Sequence, residues 1–276
     1  MPLIRKLCIG LLILGLTACG KPPPPPQPKI DTTNLSDLES LKRYDPDKYD
    51  QSQAINPIRM EALKNAAMTI GAQGALALRS EQIDDILDKD SKYLVRTFNF
   101  DSLMLPNNVL PPVLVEGRRT LNLDNNQTIR IADRTYTIAQ QAKFVTAAPT
   151  WHDYLWMDFQ KPAQPDNTLL PKNKHEAAVW QKYVTEGWRQ GVNQANSIFA
   201  ENVARMKRDY EGMILYKKLV DQNMISTPYV ATTALGVTGG GSNLTVNDKV
   251  KRITALPQLN SEANNWKPAV AQPVDN

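Results

Sequence analysis

The chain has 276 residues, with 32 Lys and Arg against 28 Asp and Glu, two Cys and two His. That length is ample for a buried core, and 42% hydrophobic with 22% charged residues excludes wholesale disorder. Two cysteines exclude a disulfide-stapled scaffold and a multi-cysteine metal cluster, and a net charge of +4 is too dilute to mark a nucleic-acid binder.

Residues 1–18 read as a secretory signal: Arg5 and Lys6 form a positive n-region, and Leu7–Leu16 form an apolar stretch too short to span a bilayer. It ends in Leu16-Thr17-Ala18-Cys19, which resembles a bacterial lipobox. Cys19 is therefore expected to be the acyl acceptor. The plainer alternative is cleavage near Ala18 with Cys19 left as a free thiol. Cleavage before Cys19 removes Cys8 and leaves no second cysteine. Gly20 follows instead of the Asp that holds Gram-negative lipoproteins at the inner membrane, so the expected location is the outer membrane, facing the periplasm.

Residues 19–53 read as a lipidated, flexible tether. Pro22–Pro28 is proline except at Gln27, and such a run stiffens into polyproline II. Asp45-Pro46-Asp47 breaks any helix, and the whole segment extended would reach roughly 100 Å.

A single α+β domain is expected over 54–257. Asn56-Pro57 is a helix start, a capping side chain followed by proline, and apolar residues recur at helical spacing to about residue 96. Gly71 and Gly74 fall inside that helix, which fits close packing and not a dinucleotide fingerprint. Residues 109–147 switch to short β-branched bursts, predicting three or four antiparallel strands with turns at Gly117-Arg118 and Asp133-Arg134. Thr150 caps a short aromatic helix.

The clearest signal is a helix over 173–221. Trp180, Val184, Trp188, Val192, Ala195, Phe199, Val203, Met206, Tyr210 and Met213 lie about 3.7 residues apart on average, an α-helical stripe. Tyr229–Val237 and Leu244–Ala255, joined through Gly239-Gly240-Gly241-Ser242-Asn243, predict a long C-terminal β-hairpin. Residues 258–276 read as a flexible tail. The expected fold class is thus α+β, long helices packed on a small, mostly antiparallel sheet.

No catalytic constellation emerges, and neither an enzyme, a cofactor nor a metal is expected. His175-Glu176 lacks the second His of a zinc-protease motif, since Val179 stands there. His152 lies in the aromatic helix, where a packed or surface histidine is a simpler reading than a general base. The glycines at 239–241 lack the Lys of a phosphate loop, and Asp124-Asn125-Asn126-Gln127 reads as a turn, not a calcium loop. Asp84 and Asp85, adjacent on a helix, read as solvated surface. Arg205, Lys207, Arg208, Lys217 and Lys218 complement the helix dipole.

Several less generic segments remain: Leu63–Glu81, Asn108–Gly117, Leu121–Asp124, Arg130–Ile138 and Phe144–Trp156. Gly187-Trp188, Gln194-Ala195-Asn196, Ile198-Phe199, Arg208-Asp209, Gly212–Tyr216 and Arg252–Pro257 join them. These resemble the DotC lipoprotein family of type IVB secretion systems, which includes the TraI proteins of related conjugative plasmids. The resemblance spans roughly residues 55–268, and the lipobox at Cys19 matches too.

It implies a structural lipoprotein of the secretion core, without a catalytic site. Such proteins assemble as a homo-oligomeric ring with DotD-like and DotH-like partners and help the latter reach the outer membrane, with no direct nucleic-acid contact. Cys19 is the one functional residue carried over. Two alternatives stay open: a lipid-anchored periplasmic hydrolase, and a binding or chaperone module outside any secretion machine.

Overall fold

The structure, a computed structural model, describes residues 30–43, 56–125 and 127–267. The predicted signal segment, Cys19, the proline run and the last nine residues lie outside the described residues.

Asn56 begins the first long helix: its Oδ1 accepts the Ile58 amide proton at 2.9 Å, and Pro57 needs no amide partner there. This helix, α2, follows a short α1 (Leu35–Glu39) and runs from Pro57 to Lys89; α3 (Ser91–Thr97) continues it after a break at Asp90. The second long helix, α5 (Lys174–Asp221), is capped by Asn173, whose Oδ1 accepts from the Glu176 amide at 2.8 Å. Its 48 residues extend about 72 Å. It stops at Asn223, which takes the left-handed conformation (φ 64°) while the Met224 amide reaches back to Leu219 O.

The two long helices run parallel and in register. Arg59 meets Glu176 near their starts, and Arg79 meets Asn196 further along. Between these points the contact is backbone on backbone. A Cβ on Gly187 would strike Met68 O, one on Gly191 would strike Ala72 O, and one on Gly71 would strike Val184 O. The close-packing reading of Gly71 is borne out, and the partner is α5. The predicted stripe faces inward throughout: Trp180, Val184, Ala195, Met206 and Met213 are buried, and its other members are half-buried.

The chain between the helices supplies strands. β1 (Val109–Leu110) pairs with β4 (Lys143–Phe144), and β2 (Val113–Asn125) pairs with β3 (Thr128–Gln140). β5 (Tyr229–Gly240) and β6 (Asn243–Ala255) form the predicted C-terminal hairpin. All three pairs are antiparallel and two-stranded. The main core joins Ile83 and Leu87 of α2 to Phe100, Leu103, Trp151, Leu155 and Met157, with Met206 and Met213 of α5 opposite. Phe100 stacks on Tyr154 at 5.3 Å and meets Tyr210 edge-on at 5.1 Å.

Three expectations change. Gly117-Arg118 and Asp133-Arg134 are not turns but cross-strand partners (Gly117↔Thr135, Arg118↔Arg134) inside one continuous ribbon that turns at its far end. Polar residues break a strand only where the strand needs a buried face, and this ribbon has left the core by then. Residues 31–43, expected within the tether, dock on the long helices. Leu38 is fully buried, Trp180 Nε1 donates to Leu38 O at 2.8 Å, and Gly74 lies against Thr32 O. The expected tail is partly ordered as well: Leu259 bridges to Ile225, the Lys267 amide donates to Gln222 O at 2.8 Å, and Trp266 Nε1 donates to Asn260 O at 2.9 Å.

Candidate functional site

Three carboxylates are buried against the long helices. Glu176 is 3% exposed and takes two hydrogen bonds from Arg59, 2.7 Å to Oε1 and 2.8 Å to Oε2, plus the Lys172 amide at 2.9 Å. Burial pushes its carboxyl up, but Arg59 and the Lys172 amide outweigh that and hold it below the ordinary range. Arg59 also reaches Thr168 O and Leu170 O, so this pair ties the starts of both long helices to the preceding loop. The residue that resembled half of a zinc-protease motif is thus committed to an ion pair, while His175 beside it is exposed.

Asp84 is buried, against the expectation of solvated surface, and accepts the Met157 amide proton at 3.2 Å. Burial raises its carboxyl. Asp85, one position round the helix, is exposed as expected. His152 is exposed, stacks on Trp156 at 4.5 Å and meets Trp151 edge-on, a surface histidine with aromatic neighbours.

Asp209 is 4% exposed and accepts from Arg208 Nη2 at 2.7 Å, Arg208 Nε at 2.9 Å, Tyr154 OH at 3.2 Å and Gln140 Nε2 at 3.3 Å. It lies at the floor of an open groove of about 760 Å³ between the end of β3, residues 143–149 and α5. Burial and the Asp209 carboxylate drive the Tyr154 hydroxyl far above its usual titration. With its oxygens so occupied, Asp209 joins β3 and α4 (Trp151–Leu155) to α5. The signal for these carboxylates was position: Glu176 is four residues before Trp180, Asp209 three after Met206, and Asp84 three before Leu87. Each falls on an inward face.

The ribbons expose apolar residues as well. At the base of β2–β3, Leu114, Tyr136 and Ile138 pack against Tyr216 and Leu219 of α5. Arg119 has left-handed backbone (φ 50°) and is passed over in the ladder between Arg118↔Arg134 and Thr120↔Ala132. Leu121 opposes Ile131 and Leu123 opposes Ile129, so all four share one face, 52–73% exposed. That face does not continue the core. β5–β6 buries no residue at all: Val237 opposes Val246, Leu244 lies on the same face, and the three are 63–69% exposed.

Among the described residues no group of three or more His, Cys, Asp or Glu is placed to hold a metal ion, and no helix is long and apolar enough to cross a membrane. Cys19, the predicted lipidation site, lies outside the described residues.

The described residues thus form two parallel long helices tied by polar links, with strand ribbons that expose apolar faces. The chain belongs to the TraI family of type IV secretory systems, described by conjugal DNA-protein transfer, whose model matches residues 57–268. The match covers both long helices and both hairpins. No curated protein matches the chain.

Proposed function

We propose that this chain is a DotC-like structural lipoprotein of a type IVB secretion or conjugation core. It is anchored in the outer membrane through Cys19, built into a ring of copies, and helps a DotH-like partner reach that membrane beside a DotD-like one. The family match over residues 57–268 carries the reading. The exposed apolar ribbons support it, because surfaces of that kind mark contacts with other chains. Docking of residues 31–43 shortens the tether: Asp31 is twelve residues from Cys19, a covalent reach of about 40 Å. Two acyl chains on Cys19 would give stable anchoring where one would not.

The test is fractionation of wild type and Cys19→Ser on a density gradient, followed by detergent extraction and sizing. The expected result is a large outer-membrane complex with its partners for wild type, and a folded variant lost from that fraction and inactive in transfer. Wild type recovered alone as a monomer would favour the binding-module alternative.

A further inference from the structure

Among the described residues the β5–β6 ribbon pairs with no other strand, and both outer edges are open. An isolated two-stranded hairpin is marginal in water, and open edges invite further strands unless charge, proline or a bulge guards them. The two edges here differ. No charged side chain occurs between Asp221 and Asp248, so β5 carries none, and it has no proline within it. β6 carries Asp248, Lys249, Lys251 and Arg252. The base is held firmly: Lys251 Nζ donates to Asn107 Oδ1 at 2.9 Å, and the Ser226 amide donates to Gln258 O at 3.0 Å. β5 skips Leu235 between Ala234↔Lys249 and Gly236↔Asp248, but β6 is interrupted too, at Asn247 and Thr254. Charge is therefore what distinguishes the two edges, and Val230–Ala234 offers an uncharged, unbroken run on a held stem.

We infer that the edge of β5 accepts strand β6 of a second copy of this chain, extending the ribbon into an intermolecular antiparallel sheet. Charge selects this pairing. Two β6 edges together would set Lys249, Lys251 and Arg252 against the same three cations, and like charges directly opposite are destabilising. With β5 against β6, every cationic strand is flanked by uncharged ones.

Direction selects it over β5 on β5. Antiparallel β5–β5 pairing points the two ribbons oppositely and sends the two domains to opposite ends of the sheet. Antiparallel β5–β6 pairing makes every ribbon point the same way, with all domains on one side, as copies anchored to one membrane require. The contact is head-to-tail, so repetition closes a ring or propagates. The inference rests on the anchored-ring reading above and names the surface that makes the ring.

The test uses the full chain in cells. Two differently tagged populations, one Thr233→Cys and one Val250→Cys, are co-expressed and treated with a short bismaleimide. Species bearing both tags are expected, with little self-crosslinking of either population alone. Adding Thr233→Lys and Val237→Lys on β5, opposite the uncharged Val250 and Val246, should cut β6-to-β5 capture at least tenfold, read from a β5 cysteine placed at Ala231. Melting temperature should hold, and Val237→Thr, which keeps the edge uncharged, should crosslink as before.

Self-crosslinking of Thr233→Cys as strong as the mixed product would establish β5–β5 pairing instead. A large complex that forms without mixed crosslinks, or one indifferent to the two lysines, would overturn the strand pairing and leave the ring. Wild type found only as a monomer in detergent would break the ring reading itself. Wild type crosslinked through Cys19 would reveal a free thiol there and break the anchor.

Discussion

The α2–α5 seam and the β5–β6 ribbon both depend on small residues, and they use them oppositely. In the seam Gly187 and Gly191 let one backbone rest on another, so the space a side chain would need is already filled. At the ribbon tip a Cβ on Gly240 or Gly241 would meet nothing within 4 Å. The seam closes on its own chain, with Trp180 and Val184 fully buried beside it, whereas the ribbon leaves Val237, Leu244 and Val246 in water. A chain that can bury its helices so completely does not leave a long apolar strand pair exposed for want of core. The difference separates what stabilises the monomer from what it offers to others.

Five substitutions test that contrast. The largest effect belongs to Gly187→Leu. Overpacking a core costs about 1–3 kcal/mol, and here the obstacle is the Met68 carbonyl, which cannot rotate away, so a loss at or above about 3 kcal/mol is expected in urea unfolding. A near-normal midpoint would mean that the helices do not touch there.

Leu38→Ala comes next. It empties a fully buried site under Trp180, and truncations of this kind cost about 2–5 kcal/mol. Proteolysis of residues 31–43 should accelerate together with the fall in stability. If both stay at wild-type values, that segment belongs to the tether after all.

Arg59→Met should cost about 2 kcal/mol at neutral pH, below the full figure for a broken buried pair because Arg59 is itself a quarter exposed. The pH dependence has a definite sign. The Glu176 carboxyl titrates below its ordinary 4.5 in the folded state, so its contribution is complete above that pH and is lost as pH falls below it. Thermal melts of wild type and Arg59→Met should therefore converge in acid. A gap that stays constant from neutral pH to pH 3 would remove the ion pair from the account.

The smallest effect is in the ribbon. Gly240→Ala should lie within about 0.5 kcal/mol of wild type, as a surface change with open space around it. Leu244→Ser should likewise leave the melting temperature in place while weakening self-association in sedimentation. Should Leu244→Ser unfold the monomer, the ribbon is core and the contrast fails.

Local chemistry is why so much of the framework could be read in advance. Asn56-Pro57 and Asn173 place helix starts because capping needs one side chain and the next few amides. The α5 stripe repeats at helical period over its whole length, and a glycine-rich turn between β-branched runs defines a hairpin without outside help. The rest depends on partners distant in the chain. Glu176 looks like a surface acid until Arg59, 117 positions away, is set against it. Leu38 looks like a tether residue until α2 and α5 form the groove that buries it, and Arg118 looks like a turn until Arg134 arrives opposite. Periodicity and capping are properties of neighbours along the chain. Which acid is paired, which strand leaves the core and which ribbon edge stays open are set only when remote segments meet.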